Sequence, residues 1–139
     1  VKFWCGAGAK CINIFPEKHD EFTALTSHLP HLISFCFAEH FCRFEKKHSD
    51  VRDAAAGSFE SITRIAKSSP FLWSEIFAQN RFNMLKHACN FRKCFDKMLA
   101  GFENKSSALT ELKKISRDYE KFENKSRRKN KRNHKNTGG

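Results

Sequence analysis

The sequence predicts an all-α domain with a residual helix-strand piece at its N-terminus, and three observations carry that expectation. The composition holds 15 Phe against six Gly and three Pro, which suits helices filled by aromatic side chains better than a sheet. Between Leu32 and about His48, apolar residues such as Leu32, Phe35, Cys36, Phe37, Phe41 and Phe44 nearly encircle a helix. A helix apolar all round belongs at the centre of a fold. Phe77, Met84, Phe91 and Met98 then recur every seven residues, the spacing of a seam for another helix.

The elements follow in order. The opening "VKFWCGAGA" is a short helical stretch closing on glycine, and "KCINIF" alternates like a short strand. A lone strand has no partner within the chain, so residues 1–15 are expected to be the end of an α/β domain. Pro16 with acids behind it marks a helix start. Pro30, between His28 and His31, is expected to break or kink that helix. After the apolar helix, Gly57 precedes a weakly amphipathic stretch. Ser69-Pro70 opens what the pattern predicts as the longest helix, from about Phe71 to Phe102. A last helix over about Ser107–Phe122 carries Leu109, Leu112, Ile115, Tyr119 and Phe122 on one face. The main domain is thus expected over residues 16–123.

The formal charge of +11 is uneven. Residues 124–139 carry seven of the 26 basic side chains and no acid, leaving 19 basic against 15 acidic in residues 1–123. A segment so polar cannot bury enough apolar surface to fold, so a basic disordered tail is expected there. It could brush phosphate groups, but a nucleic-acid function is not the expected one. No run reaches the ~20 apolar residues of a membrane span. Val1 stands without a methionine or a charged-then-apolar leader, so a signal peptide is not expected, and a piece of a longer chain is.

Six cysteines at 5, 11, 36, 42, 89 and 94 form no C-x-x-C pair. Cys36, Cys42, Cys89 and Cys94 fall in phenylalanine-rich helical patterns, where a free thiol acts as a small hydrophobe. Reduced core cysteines in a cytoplasmic protein are expected, with no metal.

Catalytic signatures are sparse. "GAGAKC" lacks the helix that a phosphate-cradling turn would open, and no G-x-S-x-G, H-E-x-x-H or calcium loop occurs. His28 and His31 could be zinc ligands, a proton relay, part of a substrate pocket or plain loop residues. Arg64 lies among Ile62, Ile65 and Ala66. An arginine in apolar company needs an anion, either a nearby Glu or a ligand carboxylate held by a two-point fork. Trp73 could simply cap the core. Asn80 and Arg81 interrupt an apolar seam with polar groups that could specify helix pairing or reach a pocket.

Three blocks together resemble the C-terminal helical dimerisation domain of prephenate dehydrogenase. They are "PEKHDEFTALTSHLPHLISFCFA", "AAGSFESITRIAKSSPFLW" and "EIFAQNRFNML". "FWCGAGAKCINIFPEKHD" is similar to the last helix and strand of that family's nucleotide-binding domain, so the resemblance runs from about Val1 to Phe122. It implies an oxidoreductase of tyrosine biosynthesis that converts prephenate to 4-hydroxyphenylpyruvate by oxidative decarboxylation, with NAD or NADP held mainly by an N-terminal domain absent from this sequence. It implies a substrate pocket containing His31, with His28 beside it, Arg64 on a substrate carboxylate, and Gly57 and Trp73 lining the pocket. His19 and Asp20 match an H-D pair at the linker, with a structural or supporting role. The family's catalytic residues would lie outside the sequence, so the chain alone is expected to be inactive. The resemblance also implies a homodimer.

Ser58 stands where a second glycine is usual, and Ser61 replaces the aspartate that precedes Ile62-Thr63-Arg64. Arg64 would then lack an orienting carboxylate. Arogenate dehydrogenase, differing in the substrate's side-chain amine, fits the same blocks. A non-catalytic helical scaffold or RNA-binding protein is the alternative from another class.

Overall fold

The computed structural model describes residues 6–7 and 12–135, with side chains through Arg127. Most of the expected N-terminal helix, and Lys10 and Cys11 of the expected strand, lie outside the described residues. Residues 12–15 form no strand. An isolated extended segment has no neighbour to take its backbone hydrogen bonds, so no ladder can form.

The chain divides into two compact units, Val1–Asn90 and Phe91–Gly139. In the first, Pro16 occupies the first turn of α1 (Pro16–Thr23), where its missing N–H has no helical partner to lose. The helix does not end at Pro30. It widens into a π turn over Ala24–His28 and continues as α2 (Leu29–Glu45). A proline inside a helix lacks the N–H that would reach four residues back, and its ring crowds that carbonyl. The wider turn just before Pro30 absorbs both defects. The expected break is therefore a local change of pitch, and His28 and His31 stay on one helical path.

A 3₁₀ turn at Ser49–Arg52 leads to α3 (Gly57–Thr63) and a second 3₁₀ turn at Arg64–Lys67. Phe59 of α3 packs on α2, with its ring centroid 4.2 Å from Phe41 and 5.9 Å from Phe37. The Ser34 hydroxyl, buried on α2, donates to the Ile62 carbonyl at 2.7 Å. That bond joins residues distant in sequence and fixes where α3 ends.

Pro70 opens α4 (Pro70–Gln79), and the Ser69 hydroxyl caps it by accepting from the Leu72 N–H at 3.4 Å. The single helix predicted from Phe71 to Phe102 is two helices. Asn80 leaves helical geometry, at φ −108° and ψ 32°, and α5 (Arg81–Gly101) begins after it. The Asn80 N–H donates to the Ile76 carbonyl, and its own carbonyl accepts from the Met84 N–H. It thereby ends one helix and starts the next. The apolar rows survive the break because seven-residue spacing says nothing about one residue's dihedrals.

Among the described residues, those buried in this unit are Ala24 of the π turn, Leu29 and Ser34 of α2, Trp73 of α4 and Met84 of α5. The expected central burial of α2 is not met within the chain. Cys36, Phe37, Cys42 and Phe44 are exposed, since α3 and its neighbours cover one side of an all-round apolar helix. Cys36, Cys42, Cys89 and Cys94 are free thiols, but exposed ones, not core residues. Cys5 and Cys11 lie outside the described residues.

In the second unit the end of α5 turns over Phe102–Asn104 into α6 (Lys105–Lys135). The Asn104 side chain accepts from the Ser106 and Ser107 N–H groups at 2.9 and 3.3 Å, capping the helix. Lys97 pairs with Glu111 at 2.6 Å. The helix α6 runs on to Lys135, into the stretch for which the sequence predicts a structureless tail. Lys and Arg are good helix formers, and Glu123 and Arg127, one turn apart at 3.7 Å, lend support at the start of that stretch.

Candidate functional site

The π turn and the first turn of α2 aim both histidines at α4. The His31 imidazole stacks on the Trp73 indole with centroids 3.5 Å apart and planes 20° from parallel. His28 meets the same indole edge-on, at 6.0 Å and 77°. Trp73 is buried beneath them, only 8% exposed, and touches Phe77 one turn later at 5.5 Å. Three rings from two sequence blocks thus form one half-buried wall.

The hydrogen bonds settle part of its chemistry. His31 Nδ1 lies 2.9 Å from the Ser27 carbonyl. A carbonyl can only accept, so Nδ1 carries the proton. His28 Nδ1 faces the Asn80 amide nitrogen at 3.4 Å, and the same nitrogen donates to the Asp20 carbonyl at 2.7 Å. Burial holds His28 below the usual histidine range. Asp20 opposes that shift, while His31 and His19 add to it. His19 and Asp20 are exposed and pair with each other at 3.1 Å.

Arg64 and Gly57 come from other elements. Arg64 heads the 3₁₀ turn after α3 and is exposed. Among the described residues it forms no ion pair, so the expected alternative of a salt bridge to a nearby Glu is absent. Its tie to the ring wall runs through Ser34, one turn beyond His31, whose hydroxyl holds the carbonyl two residues before Arg64. Gly57 opens α3 with open space around it, since an added Cβ would meet nothing within 4 Å. Sequence reasoning missed Ser34. A lone serine three residues after His31 inside an apolar run was the available signal.

Among the described residues no three His, Cys, Asp or Glu side chains gather to hold a metal. No helix among the described residues is long and apolar enough to cross a membrane. A cavity of about 330 Å³ lies beyond the wall, lined by Leu32, Phe77, Ala78, Met84, Leu85 and Ala88 with Arg81 at its side. It includes neither histidine.

The ring wall and the exposed arginine thus belong to one helical domain. Residues 15–124 match the family model described as "Prephenate dehydrogenase, dimerization domain", and the chain belongs to that family. It is 31% identical over 115 residues to a prephenate dehydrogenase of Bacillus subtilis, covering 82% of this chain and 31% of that protein. It is 38% identical over 79 residues to a cyclohexadienyl dehydrogenase of Zymomonas mobilis, covering 56% and 27%. The fold is similar to that of the prephenate dehydrogenase from A. aeolicus solved with hydroxyphenyl propionate and NAD+. The TM-score there is 0.74 at 28% identity, over 87% of this chain and 43% of that one. The chain therefore spans about a third of the length of the curated relatives it matches.

Proposed function

We propose that this chain is the substrate-binding and dimerising part of a cytoplasmic prephenate dehydrogenase, which carries out the oxidative decarboxylation of prephenate to 4-hydroxyphenylpyruvate in tyrosine biosynthesis. The observation that carries the reading is the convergence of His28 and His31 on Trp73, within a chain of this family. Flat indole and imidazole surfaces suit a cyclic substrate, and His31 Nε2 is left to meet a polar group on it. Exposed Arg64, without an ion pair, is available to hold a carboxylate through two parallel hydrogen bonds. Gly57, open at the N-terminus of α3, would line the same pocket. The likeness to a cyclohexadienyl dehydrogenase favours a cyclohexadiene substrate and keeps arogenate as the second reading.

NAD or NADP would belong to a separate nucleotide-binding domain of the whole enzyme. The described residues contain no glycine-rich strand-to-helix turn to cradle a dinucleotide pyrophosphate, and α3, which Gly57 opens, spans only seven residues. The part played here is positioning the substrate and closing its pocket, which supplies a large share of many rate enhancements.

The test is Arg64→Ala in the whole enzyme, with KM for prephenate and melting temperature measured on the same sample. Loss of a carboxylate contact costs roughly 2–5 kcal/mol when the remaining charge stays buried, so KM rises steeply while melting holds. Arg64→Lys rescues poorly, because an ammonium lacks the planar fork. An unchanged KM with a lowered melting temperature would overturn the assignment.

A further inference from the structure

We infer that Asn80 is a positioning residue that fixes His28 as the Nε2–H tautomer, so that the ring wall offers a hydrogen-bond donor beside the acceptor of His31. The inference rests on the proposed substrate pocket for its purpose, but not for its geometry.

The orientation of the Asn80 amide follows from its neighbours. Its nitrogen sits 2.7 Å from the Asp20 carbonyl, which can only accept. Its oxygen accepts from the Asn83 amide at 2.9 Å. Turning the amide over would set two oxygens together at hydrogen-bond distance and leave two nitrogens facing each other. One amide hydrogen therefore goes to Asp20, and the other is directed at His28 Nδ1 at 3.4 Å. A ring nitrogen that meets an N–H donor must be bare, which puts the proton of a neutral imidazole on Nε2. His31 is the reverse case, with its proton on Nδ1 towards the Ser27 carbonyl and a lone pair on Nε2. Among the described residues neither Nε2 has a hydrogen-bond partner, and neither is sealed from solvent, unlike Nε2 of His87. The two rings thus present opposite faces, His28 donating and His31 accepting. A ligand that pairs a carboxylate or carbonyl oxygen with a hydroxyl satisfies both.

The placement of Asn80 explains why the residue is not interchangeable. It must leave helical geometry between α4 and α5 while its side chain spans to the end of α1 and to the π turn. The titratable groups around His28 are Asp20 and His19 from α1 and His31 from α2. Protonating His28 would set an N–H against the Asn80 N–H, in the same sense as the burial that disfavours its charge.

The experiment is nitrogen NMR of the histidine rings in the intact chain, labelled with nitrogen-15, at about pH 7.5. In the unsubstituted protein His28 should show a bare Nδ1 and a protonated Nε2. In Asn80→Asp a carboxylate replaces the donor, so the His28 proton should move to Nδ1 and its titration should shift upward by about one unit or more. The new carboxylate raises the titration whatever Asn80 does, so the tautomer decides, and a merely structural Asn80 would leave it unmoved in a folded variant. A proton on Nδ1 in the unsubstituted protein overturns the inference, and so does a folded Asn80→Asp with an unchanged tautomer. If the variant fails to fold, the unsubstituted spectrum decides alone. Adding prephenate to the same sample separates the two readings. Unmoved His28 and His31 signals would count against the substrate role, and the tautomer would still stand.

Discussion

The Ser34 hydroxyl, buried on α2, and the Ile62 carbonyl, 28 residues apart in sequence, meet at 2.7 Å. This bond sets the end of α3 against α2 and, through it, the place where Arg64 emerges. Ser34→Ala removes the donor from a part-buried hydrogen bond, an expected loss of about 0.5–1.5 kcal/mol. Urea denaturation of the variant checks the stability. If Arg64 holds a substrate carboxylate, KM for prephenate in the whole enzyme should rise as well.

Trp73 supports both histidines from beneath. Trp73→Ala is expected to destabilise the chain by about 3–5 kcal/mol, the range for deleting a buried aromatic. Trp73→Phe should retain much of that stability, yet hold His31 less well for want of indole area. Denaturation midpoints for both, with His31 ring signals by NMR, distinguish the lost area from the lost stacking.

Acid should loosen this region through His28. Its folded pKa lies below the usual value of 6.5, chiefly because burial disfavours the charge. The unfolded chain therefore binds more protons as pH falls below that usual value. The stability due to neutral His28 is full above it and is lost on the way down towards the folded pKa. Lowering the pH from about 7.5 to about 5.5 should reduce the denaturation midpoint. His28→Gln should flatten the slope, and equal slopes for the two proteins would refute the point.

Association is the remaining expectation. Phe91, Phe95 and Leu99 on α5, Phe102 just after it, and Leu109, Leu112, Ile115, Tyr119 and Phe122 on α6, are all at least 40% exposed. So many large apolar groups exceed what a monomer ordinarily leaves to water, in a chain of a dimerisation family. Sedimentation at micromolar concentration should find a homodimer, and Ile115→Glu should weaken it at least tenfold. A folded chain that stays monomeric as concentration rises would remove this interface.

The helices were legible because their signals are local. Pro16, Ser69-Pro70 and the seven-residue apolar rows each depend on a few neighbours in sequence. The blocks around His28, His31 and Trp73 were visible too, and the structure brings those rings together. Legibility failed where one residue answers to distant ones. Asn80 breaks α4 from α5 with its side chain held by Asp20 and Asn83, and no periodicity records that. Pro30 reads as a helix breaker because the sequence shows the missing N–H but not the wider turn that accommodates it. Burial of α2 was misjudged for a third reason. A pattern shows which faces want cover, but not whether the same chain provides it.

The π turn over Ala24–His28 also makes the length of this segment a quantity under constraint. Deleting one residue there would close the wide turn to an ordinary α-turn and set the Pro30 ring against the carbonyl four residues back. The kink that a proline forces on a regular helix would then tilt α2 away from α1. His31 would swing off Trp73, and Ser34 would lose Ile62. At this point of the chain the extra residue is what lets the helix pass its proline. A deletion scan should find Thr26 and Ser27 less dispensable than side chains so modest would suggest.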